Sequence, residues 1–344
     1  MRFAHSGETP GTGEVPAPLL AAVSRSFHLS LRFLPAPVRT PLSLAYLLAR
    51  ATDTIADTAN APLALRLESL AAFETALLSD GPDAAASLEN LLSGLACEDA
   101  AEARLLALSP SLLGFYHTLA IPLRGEIQTV LARIIGGQRG DLLRFGYASE
   151  DAPQSLASAA DTEAYTYAVA GCVGEFWTRL CALQLPGFAR LPLDELLSLG
   201  RRFGQGLQLV NILRDLPADL RAGRCYLPAD ELSAAGLAPA ELLRHPERAR
   251  PVFDRWLRQA SEFLSAGERY VRGINGRRLR FSVSLPRRLG EETLALLQRR
   301  RPLETPFRLR VHRGTVLRSA FAALLESATP RPAQQAKSPS RGEP

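Results

Sequence analysis

The chain has 344 residues, of which 47% are hydrophobic, 22% charged and only 7% aromatic. These values and a mean hydropathy of zero exclude a largely disordered chain and a collagen-like repeat. The net charge of +5 does not indicate nucleic-acid binding, because the basic residues lie among acidic ones along the whole chain and form no basic block with interleaved aromatics.

The four cysteines and the N-terminal residues bear on the compartment. The cysteines show no C-x-x-C spacing, which favours reduced thiols over a structural zinc site. The first residues contain no apolar stretch typical of a signal peptide, and no run of about 18 apolar residues follows anywhere. We therefore expect a cytoplasmic protein that touches a membrane at most peripherally.

Ala and Leu supply most of the apolar residues, and both favour helix over strand. Apolar periodicity and Pro, Gly and acidic punctuation predict an all-α chain without strands. The predicted helices are 18–33, 38–57, 62–79, 84–95, 99–119, 122–146, 160–184, 192–217, 228–235, 239–244, 250–274, 286–299 and 314–327. No linker divides the middle of the chain, so we expect one helical domain over 18–328, with a flexible N-terminus at 1–17 and a disordered Pro/Ser-rich tail at 329–344. Wide apolar helix faces could surround a central apolar cavity.

The helix predicted at 38–57 ends in a polar stripe. Tyr46, Arg50, Asp53 and Asp57 recur at intervals of three and four residues, which places them on one helix face. Two carboxylates one turn apart repel each other, and a divalent cation bound between them relieves that repulsion. A solvated helix end is the alternative interpretation of this motif taken alone.

A second stripe falls in the helix predicted at 192–217 and just beyond it. Its polar members, at spacings of three, four and four, are Gln208, Asn211, Asp215 and Asp219. Leu and Ile residues surround them, which a solvated surface does not explain. Pro217 removes a backbone donor, so Asp219 is expected to lie past a kink.

Two such stripes could face each other across the cavity and hold Mg²⁺ ions. A diphosphate would complete the coordination, and Arg25, Arg50 and Arg214 could bind its remaining charge with their forked donors. The apolar remainder of the cavity suits a hydrocarbon tail. Together these features describe a prenyl diphosphate substrate that ionises with its leaving group stabilised by metal and arginine.

In these motifs and their order, the chain resembles the squalene/phytoene synthase family of head-to-head prenyltransferases. The resemblance covers about residues 20–325. It rests on SRSFHLSLRFLP (24–35), YLLARATDTIADT (46–58), GGQRGD (136–141), YTYAVAGCVG (165–174) and NILRDLPAD (211–219).

The resemblance implies an isoprenoid-synthase-type helical domain and a set of roles. Metal ligands would be Asp53, Asp57, Asn211, Asp215 and Asp219, and diphosphate-binding residues would be Arg25, Tyr46, Arg50, Gln208 and Arg214. The family's squalene synthases of eukaryotes carry a tyrosine directly before Val-Ala-Gly, where this chain has Ala168. Tyr165 is our candidate catalytic tyrosine, with Tyr167 left open as its alternative.

Two late segments resemble squalene synthase in particular. FSVSLP (281–286) and RLRVHRGT (308–315) are similar to segments linked to NADPH, which assigns Phe281, Arg310 and Arg313 to cofactor binding. Ordinary packing helices with solvated arginines are the alternative for both. GRCYLP (223–228) is shared with carotenoid enzymes and does not discriminate.

We therefore expect a squalene synthase that joins two farnesyl diphosphates with Mg²⁺ and NADPH. A dehydrosqualene or phytoene synthase without NADPH is the alternative within the class, and a non-catalytic scaffold is the alternative outside it. The expected partners are two substrate molecules and transiently a membrane, without nucleic acid, and a monomer is favoured.

Overall fold

The computed structural model describes residues 15–24, 27–300, 303, 309 and 312–328, with the Arg313 side chain left out, and these residues form an all-α fold, as the composition predicted. The helices of the described residues are α1 (Ala17–Ser24), α2 (Phe27–Phe33), α3 (Ala36–Asp57), α4 (Leu63–Leu78), α5 (Pro82–Ser93), α6 (Ala100–His117), α7 (Ile121–Phe145), α8 (Ala159–Thr166), α9 (Cys172–Gln184), α10 (Leu193–Arg221), α11 (Ala229–Ala234), α12 (Pro246–Gly273), α13 (Arg277–Arg299) and α14 (Arg313–Ala328). A π-helical turn (Tyr167–Gly171) joins α8 to α9, and a 3-10 turn (Pro239–Glu241) follows α11.

The helices α3, α7, α9 and α10 surround a central cavity, and α12 and α13 pack on α10 and also contribute to the cavity wall. One cluster of buried apolar side chains connects these helices, and its members run from Leu19 to Leu309. In the part of the chain that the structure describes, no helix is both long enough and apolar enough to span a bilayer.

A short parallel pair of strands corrects the prediction that the chain contains none. β1 (Gln154–Leu156) pairs with β2 (Arg224–Pro228), with Gln154 opposite Arg224. Strands of three and five residues are too short to show an alternating pattern, so periodicity could not predict them. Gly223 precedes β2 with a φ of +79°, a conformation that favours glycine.

Some predicted helix limits also need correction. The helix predicted at 160–184 is interrupted by the π-helical turn, and the helix predicted from 286 begins nine residues earlier, in α13. The helix predicted at 18–33 corresponds to α1 and α2, between which residues 25–26 lie outside the described residues.

The kink expected at Pro217 does not end the helix, because α10 continues to Arg221. Pro217 lies close to the C-terminal end of α10, where few further backbone bonds are at risk. The Arg221 guanidinium donates to the Pro217 carbonyl at 3.3 Å. Asp219 therefore keeps the helical spacing that places it in line with Asp215.

Glycines let α9 and α10 cross at backbone contact. A Cβ atom built on Gly174 would lie 2.0 Å from the Gly200 carbonyl oxygen, and one on Gly204 would lie 2.3 Å from the Ala170 carbonyl oxygen. No side chain fits at either point. The crossing brings the two cavity walls together at the end away from Asp219.

Candidate active site

The polar stripe of α3 lies on the cavity wall. Tyr46, Arg50, Asp53 and Asp57 all line the cavity. The Arg50 guanidinium donates to Asp53 and also to Glu102 of α6, so it is held between two helices. The Tyr46 hydroxyl donates to the Val23 carbonyl at 3.1 Å, which ties α1 to this wall.

The polar stripe of α10 lines the same cavity, through Gln208, Asn211, Asp215 and Asp219. The Asn211 amide is 3.5 Å from the Gln208 amide oxygen. Arg214 forms a forked pair with Asp215 at 2.9 and 2.6 Å but does not itself line the cavity. It contacts the site through Asp215.

Arg224 of β2 connects the two stripes. Its guanidinium nitrogens lie 3.7 Å from an Asp57 oxygen and 3.7 Å from an Asp219 oxygen. Burial by itself would lower the pKa of Arg224. Its neighbours raise that pKa by more than burial lowers it, so the net shift is upward; these neighbours are Tyr226, Asp219, Asp57 and Asp141. The Arg224 guanidinium thus lies between the C-terminal ends of α3 and α10. Both polar stripes therefore reach the same end of the cavity.

Asp141 and two tyrosines complete this end. The Tyr226 hydroxyl donates to Asp141 at 2.6 Å, and the rings of Tyr226 and Tyr165 stack with centroids 4.7 Å apart. Burial raises the pKa of Asp141 to about 6, although Tyr226 and Arg224 act in the opposite direction. Burial also raises the pKa of the Tyr165 phenol, so Tyr165 is a protonated donor at neutral pH.

The charges at this end favour a bound cation. Five carboxylates and three guanidiniums of the described residues line the cavity. Burial and the neighbouring Asp57 raise the pKa of Asp53 to about 6, against the opposing effect of Arg50, and a cation bound beside Asp53 and Asp57 would lower it again. No group of three or more acidic, His or Cys side chains in the described ranges is close enough to hold a metal alone. The donor set fits Mg²⁺ that shares its coordination with phosphate oxygens and water.

The rest of the cavity is mainly apolar. The whole cavity has a volume of about 1120 Å³, just above the usual range for small-molecule sites. Val130 and Ile134 of α7, Phe176 and Trp177 of α9 and Phe203 of α10 line it. The cavity follows α10 from Asp219 to Gly200, which at 1.5 Å per residue is about 28 Å.

Of the two tyrosines that the sequence left open, Tyr165 lines the cavity. Tyr167 instead donates to Glu175 at 3.1 Å and lies under the Arg201 guanidinium. Residues two apart in a helix point to nearly opposite faces, so Tyr165 reaches the cavity and Tyr167 does not line it.

Of the residues assigned to NADPH, Phe281 is the one whose side chain the structure describes, and it does not line the cavity. Phe281 packs on Phe33, with ring centroids 4.4 Å apart, and is buried against Leu285 and Ala323. Its neighbours Ser282, Val283 and Pro286 line the cavity. Arg25 and Arg310 lie outside the described residues, as does the side chain of Arg313.

Four residues of the site were missing from our predicted set: Arg66, Asp141, Arg224 and Tyr226. Asp141 belongs to GGQRGD, so a signal for it was present. The signal for Arg224 and Tyr226 was GRCYLP, whose alternate residues face one side once the segment forms a strand. Arg66 has no motif around it.

Comparison with known proteins identifies relatives among squalene and phytoene synthases. The chain is 32% identical over 233 residues to a bifunctional lycopene cyclase/phytoene synthase of Colletotrichum graminicola, covering 66% of this chain and 36% of that protein. It is 28% identical over 286 residues to a squalene synthase of Gibberella zeae, covering 81% of this chain and 57% of that one. The chain therefore spans between a third and three fifths of these two relatives.

A solved structure described as TcSQS in complex with the ligand BPH1237 superposes with a TM-score of 0.70 at 21% identity, covering 93% of this chain and 92% of that one. At this identity the likeness establishes the fold. Residues 20–315 match the family model described as squalene/phytoene synthase, and the chain belongs to that family.

Proposed function

We propose that the chain is a squalene synthase. The observation that carries the proposal is the convergence of two carboxylate stripes, joined by Arg224, at one end of a long apolar cavity. A diphosphate head would bind at the charged end, and two farnesyl chains would occupy the apolar remainder.

In the first half-reaction, two farnesyl diphosphates would give presqualene diphosphate, one diphosphate and one proton. Asp53, Asp57, Asn211, Asp215 and Asp219 would hold Mg²⁺, which supplies charge neutralisation to the diphosphate. Arg50 and Arg224 would bind further phosphate oxygens with forked donors. Further candidates are Tyr46, Gln208, Arg25 and, through Asp215, Arg214.

The side chains of Tyr165 and Tyr226 would lie near the reacting carbons of the bound substrates. Their raised pKa values keep both phenols protonated, so each presents a hydroxyl and a ring face rather than a phenolate. The Asp141 carboxylate, which accepts from Tyr226, is our candidate for the group that takes up the proton released in this step.

In the second half-reaction, a hydride from NADPH as second substrate would replace the remaining diphosphate and give squalene and NADP⁺. The link of Phe281, Arg310 and Arg313 to NADPH rests on the sequence resemblance. Relatives named phytoene synthase support the alternative, in which no hydride is delivered and the product is dehydrosqualene or phytoene.

Incubation with farnesyl diphosphate and Mg²⁺, with and without NADPH, tests the proposal. We expect squalene only with NADPH, and presqualene diphosphate without it. Dehydrosqualene in both incubations would contradict the assignment, and a preference for geranylgeranyl diphosphate would favour phytoene.

A non-catalytic scaffold is the candidate from another class. The intact, mutually repelling carboxylates argue against it, since a scaffold gains nothing from them. Thermal stabilisation by Mg²⁺ together with a non-hydrolysable farnesyl diphosphate analogue is expected for the enzyme and not for a scaffold.

We further propose that the protein is a cytoplasmic monomer. It would touch the membrane peripherally, because its product is insoluble in water.

A further inference from the structure

Helix α14 has its apolar side chains on the outside. Leu317, Phe321, Leu324 and Leu325 are 72%, 63%, 42% and 57% exposed, and we call these four residues the α14 apolar face. They recur at intervals of four, three and one, which is the spacing of one helix face. A helix packed on a soluble core normally turns such a face inwards.

The inward side of α14 is small and polar instead. Ser319, Ala323 and Ser327 are buried. Arg280 of α13 donates to the Ser327 carbonyl at 2.6 Å, and Arg287 reaches Glu326 at 2.8 Å. These directed contacts fix the rotation of α14 on α13, so the exposure of the apolar face follows from specific pairing.

The surface continues from α14 onto α2. Phe281 of α13 packs against both Ala323 of α14 and Phe33 of α2. Phe33 and Leu29 of α2 are themselves more than a third exposed. Phe27, at the start of the same short helix, lines the cavity. The apolar surface therefore adjoins the wall of the cavity.

We propose that the α14 apolar face, with Leu29 and Phe33, docks onto a membrane surface that carries anionic phospholipids. This inference rests on the proposed function in one respect: a hydrocarbon product that is insoluble in water must be released into an apolar phase such as a membrane. The charge around the surface and its area favour a membrane over other occupants.

Exposed basic side chains occur on both helices that carry the apolar surface. Arg32 lies within α2 and Arg318 within α14, where Arg318 also pairs with Glu292 of α13 at 3.3 Å. Residues 329–344, which follow α14 directly, contain Arg331, Lys337 and Arg341 against one acidic residue, Glu343. Apolar side chains combined with basic residues are the two signals that hold a peripheral protein on an anionic bilayer.

Two other occupants fit less well. Residues 329–344 contain no Leu, Ile, Val, Met or aromatic residue, so they have nothing with which to bury the face. Six partly exposed side chains amount to an apolar patch on the order of several hundred Å². A second copy of the chain would need about 800 Å² on each side for a stable interface.

Vesicle co-sedimentation of the full chain tests the proposal, with mixed phosphatidylcholine and phosphatidylglycerol vesicles as the probe. The variant L317S/F321S removes two members of the face at exposed positions. The matched control, L78S/I121S, removes two side chains that are 63% and 75% exposed on α4 and α7. L324S/L325S provides a second test variant if the first unfolds.

We expect the wild type and the control to sediment with the vesicles, and L317S/F321S to partition at least about tenfold less. No vesicle binding by the wild type, or equal binding by test and control variants, would overturn the proposal. So would a wild-type dimer that only L317S/F321S dissociates, because the occupant would then be a second copy.

Activity on detergent-dispersed farnesyl diphosphate, measured in parallel, separates this inference from the proposed function. All three proteins should turn over alike there. Absence of turnover in all three, with vesicle binding intact, would refute the proposed function and leave the docking face standing.

Discussion

The two ends of the cavity are built by opposite physical means. At the charged end, five carboxylates are held near three guanidiniums, and the pKa values of Asp53 and Asp141 rise to about 6. At the apolar end, glycines bring α9 and α10 into backbone contact. The charged end is dominated by like charges and polar contacts, whereas the apolar end is held by close backbone packing. Substitutions should therefore affect binding and turnover at the first end, and stability at the second.

The largest effect is expected from the carboxylates of the stripes. Asp53→Asn or Asp215→Asn should lower kcat/KM on the order of 10³-fold, because each removes charge that binds metal and diphosphate. Unfolding curves should change little. Asp194→Asn, on an exposed turn of the same α10, is the control and should retain wild-type turnover. Near-normal turnover of either test variant at saturating Mg²⁺ would remove the metal assignment.

The next effect belongs to the apolar end. Gly204→Ala places a Cβ atom 2.3 Å from the Ala170 carbonyl oxygen and should lower the free energy of unfolding by about 1–3 kcal/mol. Gly136→Ala, within α7, meets nothing within 4 Å and should raise it by about 0.5–1 kcal/mol. Chemical denaturation measures both. Equal destabilisation by the two substitutions would show that the helix crossing does not depend on glycine.

A smaller effect is expected from the raised pKa of Asp141. A carboxyl group whose pKa is about 6 when folded and near 4 when unfolded binds its proton more tightly in the folded state. Its contribution to stability is therefore greatest below pH 4 and is lost as the pH rises through 6. Asp141→Asn should raise the Tm by a few degrees at pH 8 and by less at pH 4. A Tm difference that is independent of pH would contradict this.

The smallest effect is expected for Tyr226→Phe. The Tyr226 hydrogen bond lowers the pKa of Asp141, so its removal should move the acidic limb of the pH–rate profile to higher pH, by less than about one unit. Tyr147→Phe, at a side chain that is 91% exposed, is the control. An unchanged acidic limb would indicate that Asp141 does not limit turnover.

The sequence was informative where chemistry depends on helical spacing. Both carboxylate stripes lie on single helices, so intervals of three and four residues were enough to predict that Asp53 and Asp57 share a face, as do Asp215 and Asp219. Fold class followed equally well, because Ala and Leu dominate the apolar residues.

The sequence was uninformative where the site depends on tertiary contacts. Arg224 and Tyr226 enter the cavity from a five-residue strand that exists only through its pairing with β1. Helical spacing places Tyr165 and Tyr167 on opposite faces, but which of the two faces lines the cavity depends on how α8 packs on its neighbours. The outward apolar face of α14 follows from buried arginines of α13, and no helical pattern shows which side of a helix its neighbour will cover.

The central claim is that the stripes of α3 and α10 serve one binding site. Isothermal titration of a non-hydrolysable farnesyl diphosphate analogue at saturating Mg²⁺, into wild type, Asp53→Asn, Asp215→Asn and the double variant, tests it most directly. If both carboxylates act on one metal–diphosphate assembly, the double variant should lose little more affinity than either single variant. Losses that add in full would contradict the claim, because the two stripes would then act independently.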